Sequence, residues 1–131
     1  MTRAHTPDEI SLRRMVHRFY EQVRDDATLG PIFERHVDGR WPEHLDKMVD
    51  FWSTVLLGAR RYRGNPRSVH AALAEEVDPD AFDVWLELFH RTTHEVFVPE
   101  LAEAIDARAS MMASGLKQAM FGHRPPLPIT E

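Results

Sequence analysis

Residues 41–58, WPEHLDKMVDFWSTVLLG, set Trp41, Leu45, Met48, Val49, Trp52, Val55 and Leu56 at steps of three and four. That spacing lines one face of an α-helix, because successive side chains turn by 100° and every third or fourth returns to the same side. Pro42 suits a first helical turn, where an amide hydrogen has no acceptor, and Gly58 supplies a residue that can leave the helix left-handed. The stretch therefore predicts a long helix from Trp41 to about Gly58. One polar residue interrupts its apolar stripe: His44 shares a face with Met48, Phe51, Trp52 and Val55.

The same periodicity continues on both sides. Toward the N-terminus, Thr6-Pro7-Asp8-Glu9 predicts a helix start, with Thr6 as N-cap, Pro7 in the first position and Glu9 closing a capping box. Leu12, Met15, Val16, Phe19, Tyr20 and Val23 then form one stripe until Asp25-Asp26 and Gly30-Pro31 break it, with a short further turn at Pro31-Ile32-Phe33. Toward the C-terminus, a basic loop over 59–64 precedes Asn65-Pro66, which caps a short helix bearing Val69, His70 and Leu73. Asp78-Pro79 opens a helix containing Phe82, Trp85, Leu86, Leu88, Phe89, Val96 and Phe97; Pro99 ends it and begins the last, with Leu101, Ile105, Met112, Leu116 and Met120. No segment alternates in the manner of a strand, so the chain reads as all-α. It divides into an N-terminal segment 1–7, a domain 8–121 and a Pro-rich tail 122–131, expected to be flexible.

Composition narrows the function classes. The chain has 131 residues, enough for one domain and its core. A net charge of −5 argues against nucleic acid and against an anionic membrane surface. There is no cysteine, which excludes disulfides, thiolate metal sites and a cysteine nucleophile and suits a reducing compartment. Neither a signal-like segment nor ~20 consecutive apolar residues occurs, so a soluble cytoplasmic protein is expected.

His44, His70 and Tyr20 stand where core residues belong. A buried imidazole or phenol costs a few kcal/mol unless it finds a hydrogen bond or a metal. For one histidine a bond to a backbone carbonyl is the plain account. Two on separate helices, with a phenol and tryptophans beside them, suit a slot that wants an imidazole on each side, and haem iron is such a group.

The residues that carry a family likeness are Phe19-Tyr20, Val23-Arg24 and Leu29-Gly30-Pro31-Ile32-Phe33; His44 with Phe51-Trp52; Leu56-Leu57-Gly58, Tyr62-Arg63-Gly64-Asn65-Pro66 and His70; and Trp85-Leu86 with Leu88-Phe89. In these the chain resembles the truncated haemoglobins of group III, from about residue 10 to residue 121. The lack of any Gly-Gly pair departs from the first two groups and agrees with the third. The resemblance implies a truncated globin-like two-over-two helical sandwich enclosing haem b. It implies His70 as the proximal iron ligand, Tyr20 and Trp85 as distal hydrogen-bond donors and His44 as the distal gate residue, which either swings to admit a ligand or ligates the ferric iron itself. Phe33, Met48, Phe51, Trp52 and Val69 are the candidates for the haem-contact shell, with Arg60, Arg61 and Arg63 as the place to look for propionate partners.

Those roles imply binding of diatomic ligands such as oxygen and nitric oxide. Donors at Tyr20 and Trp85 would each stabilise the negatively charged bound oxygen by about 1.5–3 kcal/mol and slow its release. Nitric oxide dioxygenation would need an external reductase, since the chain has no flavin or nicotinamide domain; peroxidase-like use, sensing and simple binding stay open. Two other readings stand beside this one. Asp83, Glu87, His90 and His94 share one helix stripe and offer a zinc site, against the plainer alternative of a solvated face. A haem-free helical interaction module would use the Pro-rich tail or the acidic surface.

Overall fold

A computed structural model of the chain describes residues 2–60 and 80–121. Within them lie α1 (Glu9–Asp25), α2 (Leu29–Val37), α3 (Trp41–Leu57), α4 (Asp80–Val96) and α5 (Pro99–Phe121). Extended pairing among the described residues is limited to one bridge between Ala4 and Phe97. The chain is all-α. The helix expected after Asn65-Pro66, the Asp78-Pro79 cap and the tail 122–131 lie outside the described residues.

The start of α1 falls two residues later than the sequence predicts. Asp8 is the N-cap: its carboxylate accepts from the Ser11 amide at 2.8 Å, and the Ser11 hydroxyl accepts from the Asp8 amide at 2.9 Å. Ser11 therefore closes the capping box, because it occupies the third helical position and can reach back, whereas Glu9 sits in the first.

A second correction concerns α2, which runs for nine residues through Gly30 and Pro31 instead of breaking there. Pro31 is tolerated because its missing amide hydrogen would have had no intrahelical acceptor in the first turn. The Asp26 carboxylate satisfies the amides of Thr28 and Leu29, both at 2.8 Å. Gly30 allows α2 to pass close to α1: a Cβ there would stand 2.7 Å from the Arg24 carbonyl oxygen. By contrast α3 begins and ends as predicted, with Pro42 in its first turn and Gly58 at φ 74° as its left-handed C-cap.

The organising element is α1, which packs against α2, α3 and α4, while α5 packs on α4. Its buried face of Leu12, Met15, Val16, Phe19 and Val23 meets Val49 and Trp52 of α3 and Phe89 of α4 in one core, with Phe97 and Ile105. Of the polar side chains inside that core, Thr92, Thr93 and Asp106 are paired, whereas Ser53 Oγ has no hydrogen-bond partner among the described residues. Thr92 Oγ lies 2.7 Å from Gln22 Nε2, and Thr93 Oγ lies 2.7 Å from Oδ1 of the buried Asp106. The N-terminal segment straps the α4–α5 junction: the Ala4 amide donates to Val96 O, the Val98 amide donates to Ala4 O, and Arg3 Nε donates to His94 O. The bonds to Val96 O and His94 O occupy carbonyls at the end of α4 that have no intrahelical partner.

Replacing Gly30 by Ala should lower the unfolding free energy by about 1–3 kcal/mol, because the clash is with backbone and cannot be relieved by a side-chain rotation. Urea unfolding measures it; a variant as stable as the parent would show that α1 and α2 can move apart freely.

Candidate functional site

Three helices bring aromatic rings around one imidazole. Tyr20 comes from α1, Phe33 from α2, and Trp41 and His44 from the first turn of α3. The His44 ring lies edge-on to Tyr20 at 5.0 Å and to Trp41 at 5.6 Å between centroids, with Phe33 at 6.4 Å. Tyr20 also meets Phe33 at 5.7 Å and Trp41 at 5.8 Å, so Tyr20 and His44 each touch the other three rings.

Burial sets the protonation of both polar members. Desolvation, with a smaller contribution from the Lys47 charge, lowers the His44 pKa to about 4, so the imidazole is neutral at pH 7. Desolvation pushes the Tyr20 phenol far above its ordinary range, which keeps its hydroxyl protonated and able to donate. His44 Nε2 is buried and, among the described residues, has no hydrogen-bond partner, a condition it shares with Ser53 Oγ. A group in that condition costs about 1–3 kcal/mol, and Thr92, Thr93 and Asp106 are paired elsewhere.

Beside this set lies a second one, joined to it by Phe19. The Phe19 ring stands 5.0 Å from Tyr20 and 5.4 Å from both Trp85 and Phe89. Trp85 and Phe89 stack in parallel at 5.3 Å, and Trp52 stacks on Phe89 at 5.0 Å, with Phe51 edge-on to Trp52 at 5.4 Å. Trp85, Phe51, Met48 and Phe33 are half-buried, whereas Trp52 is buried in the core. The structure thus brings Tyr20, His44 and Phe33 together and places Trp85 one ring away, across Phe19. His70, Val69, Arg61 and Arg63 lie outside the described residues, and Arg60 is exposed.

Sequence reasoning counted Trp41 only as an apolar helix member. Its indole Nε1–H donates to Glu34 Oε1 at 3.0 Å, and Arg24 Nε donates to the other Glu34 oxygen at 3.0 Å. The one available signal was the three-residue step from Trp41 to His44; nothing local points to Glu34 on another helix.

The stripe proposed for zinc behaves otherwise. Asp83 and Glu87 are exposed. His90 Nδ1 and His94 Nε2 both face Oδ2 of Asp106 on α5, at 3.5 and 3.3 Å. Among the described residues no group of three or more His, Asp or Glu is arranged to hold a metal ion. The two imidazoles serve instead as a contact between α4 and α5.

The fold and this ring set agree with what known proteins show. The bacterial-like globin family matches residues 8–121. The chain belongs to that family. A group 3 truncated haemoglobin of Campylobacter jejuni is 34% identical over 119 residues, covering 88% of this chain and 93% of the relative. The crystal structure of a group III truncated haemoglobin from Campylobacter jejuni superposes with a TM-score of 0.88 at 32% identity, covering 95% of this chain and all of the other. The all-α truncated globin fold and the likeness to group III are thereby shown.

Membership in this globin family implies haem binding and, with it, binding of a small gaseous ligand. The residues present fit such a group: a neutral imidazole nitrogen without a hydrogen-bond partner among the described residues stands in a wall of aromatic rings, as an apolar macrocycle and a small polar ligand require. No helix among the described residues is long and apolar enough to cross a membrane.

Because the folded state holds the His44 pKa near 4, below its ordinary 6.5, a proton favours the unfolded chain. The stability contributed by the neutral imidazole is present above pH 6.5 and is lost as the pH falls toward 4. Urea unfolding across that window should show a shallower acid slope in His44→Leu than in the parent; identical slopes would mean that His44 is not desolvated.

Proposed function

We propose that the chain is a haem b protein of diatomic ligands, with His70 holding the iron and Tyr20, Trp85 and His44 acting on the ligand side. When bound, haem supplies an iron that takes up small gases and exchanges electrons. The observation that carries the reading is the pairing, 5.0 Å apart, of a phenol kept protonated by burial with a neutral imidazole whose Nε2 has no hydrogen-bond partner among the described residues. A dry, aromatic surround raises the worth of any hydrogen bond made there, because no water competes for the donor.

The roles differ by chemistry. The Tyr20 hydroxyl donates a hydrogen bond to a ligand that carries partial negative charge and gives none of that benefit to neutral carbon monoxide. The Trp85 indole, which can only donate, acts in the same sense from α4. His44 excludes water and moves aside to admit a ligand, its neutral ring giving up no ion pair when it does so. Phe33, Met48, Phe51, Trp52 and Val69 supply apolar contact to the macrocycle. The reading extends to nitric oxide dioxygenation, in which nitric oxide, oxygen and one electron give nitrate, the electron coming from a separate reductase. A chain without cysteine suits a reducing compartment, and we assign it to the cytoplasm.

Stopped-flow measurement of ligand release tests this. Tyr20→Phe should speed oxygen dissociation by about tenfold to a hundredfold, the equivalent of a charge-assisted hydrogen bond, and leave carbon monoxide dissociation nearly unchanged. Equal oxygen dissociation in variant and parent would remove Tyr20 from the ligand side.

A further inference from the structure

The first turn of α3 carries His44 but has no side-chain cap of its own, since Arg40 at the N-cap makes no such bond. What holds that turn is Trp41. Its indole N–H is bonded to Glu34 of α2 at 3.0 Å, Glu34 is bonded to Arg24 of α1 at 3.0 Å, and the Arg24 guanidinium lies over the indole ring, 4.4 Å from its centroid. Three helices meet on one indole in this way. The Arg24 and Glu34 side chains are about half exposed, whereas Trp41 is 7% exposed and forms part of the wall around His44. The arrangement stands at the rim, with its ion pair in water and its ring inside.

We propose that Arg24, Glu34 and Trp41 form a clip that positions His44 and thereby sets how fast a ligand enters the pocket, an inference that rests on the haem reading above. Among the described residues His44 Nε2 has no hydrogen-bond partner. The rings packed around it therefore bear on its orientation, and Trp41, one helical turn away with centroids 5.6 Å apart, is tied to both neighbouring helices. An exposed ion pair alone would add little. An indole bonded to a charged carboxylate and covered by a guanidinium is a stronger and more directional fixture. The Glu34 carboxyl is held below its usual range first by the Trp41 N–H and then by Arg24, so the acceptor is charged at neutral pH. Trp41, Glu34 and Arg24 are positioning residues: they act through His44.

The test uses the haem-loaded protein with carbon monoxide as probe. The second-order association rate after flash photolysis is read together with the C–O stretching frequency, which reports the polarity that His44 presents. Trp41→Phe, which keeps a ring but loses the N–H, and Glu34→Ala should raise the association rate about twofold to tenfold, the range of one lost hydrogen bond. They should move rate and stretch in the same direction as His44→Ala. Glu34→Gln, which still accepts from the indole, should remain closer to the parent, and Arg24→Gln, at the exposed end where folding is not at stake, should shift the rate in the same sense as Glu34→Ala. Parent-like rates and stretches in Trp41→Phe, Glu34→Ala and Arg24→Gln, beside an accelerated His44→Ala, would overturn the clip and leave the haem reading standing. A His44→Ala rate equal to the parent's would overturn it too, for the clip would have nothing to position. Absence of any haem absorption would remove both readings together.

Discussion

The burial of His44 Nε2, on a half-buried ring and without a hydrogen-bond partner among the described residues, is the constraint on which the site depends. A core residue chosen for stability alone would be apolar at that place, as Val49 and Trp52 are further along the same helix. The polar group is retained at a cost of about 1–3 kcal/mol, and desolvation keeps it uncharged. Everything that surrounds it serves to keep it dry and oriented. Tyr20 reaches it from α1 and Phe33 stands beside it from α2, while Trp41 is fixed by Glu34 and Arg24. Its position therefore depends on how α1, α2 and α3 pack, down to the absence of a side chain at Gly30 where the first two helices come closest.

Ser53 Oγ on α3 is the other buried polar atom without a hydrogen bond among the described residues, and the opposite rule holds where α4 and α5 pack. Between α1, α4 and α5 the buried polar groups find partners: Gln22 with Thr92, and Thr93 with Asp106, whose second oxygen faces His90 and His94. This half supplies stability and a rigid frame. The half around His44 leaves a polar nitrogen unsatisfied among the described residues, which is the condition the proposed ligand would relieve. Phe19 touches both halves: its ring meets Tyr20 on one side and Trp85 of α4 on the other.

What could be read from residues alone follows from how local each signal is. The α3 boundaries were legible because Pro42 and Gly58 act on their own backbone. The α1 cap was displaced because Thr6, Asp8 and Ser11 can all serve as caps, and spacing does not say which reciprocal pair forms. Gly30-Pro31 looked like a break because both residues disfavour helix interiors; at the second and third positions of α2 neither is penalised in that way. His44 and Tyr20 stood out as polar residues on apolar faces, and the pocket joins them. Trp41 did not, because an indole on an apolar stripe looks like packing until its N–H is seen to have a partner on another helix. For the same reason the His90 and His94 pair looked like half of a metal site: their common neighbour, Asp106, is supplied by α5.

The central claim is that the pocket around His44 receives haem with His70 on the iron. The most direct measurement is the absorption spectrum of the purified protein as isolated, after dithionite and after carbon monoxide, beside His70→Gly. The account predicts a Soret band that shifts on reduction and again with carbon monoxide, and that is weakened or altered by the substitution. A folded protein that develops no Soret band even when hemin is supplied would contradict it.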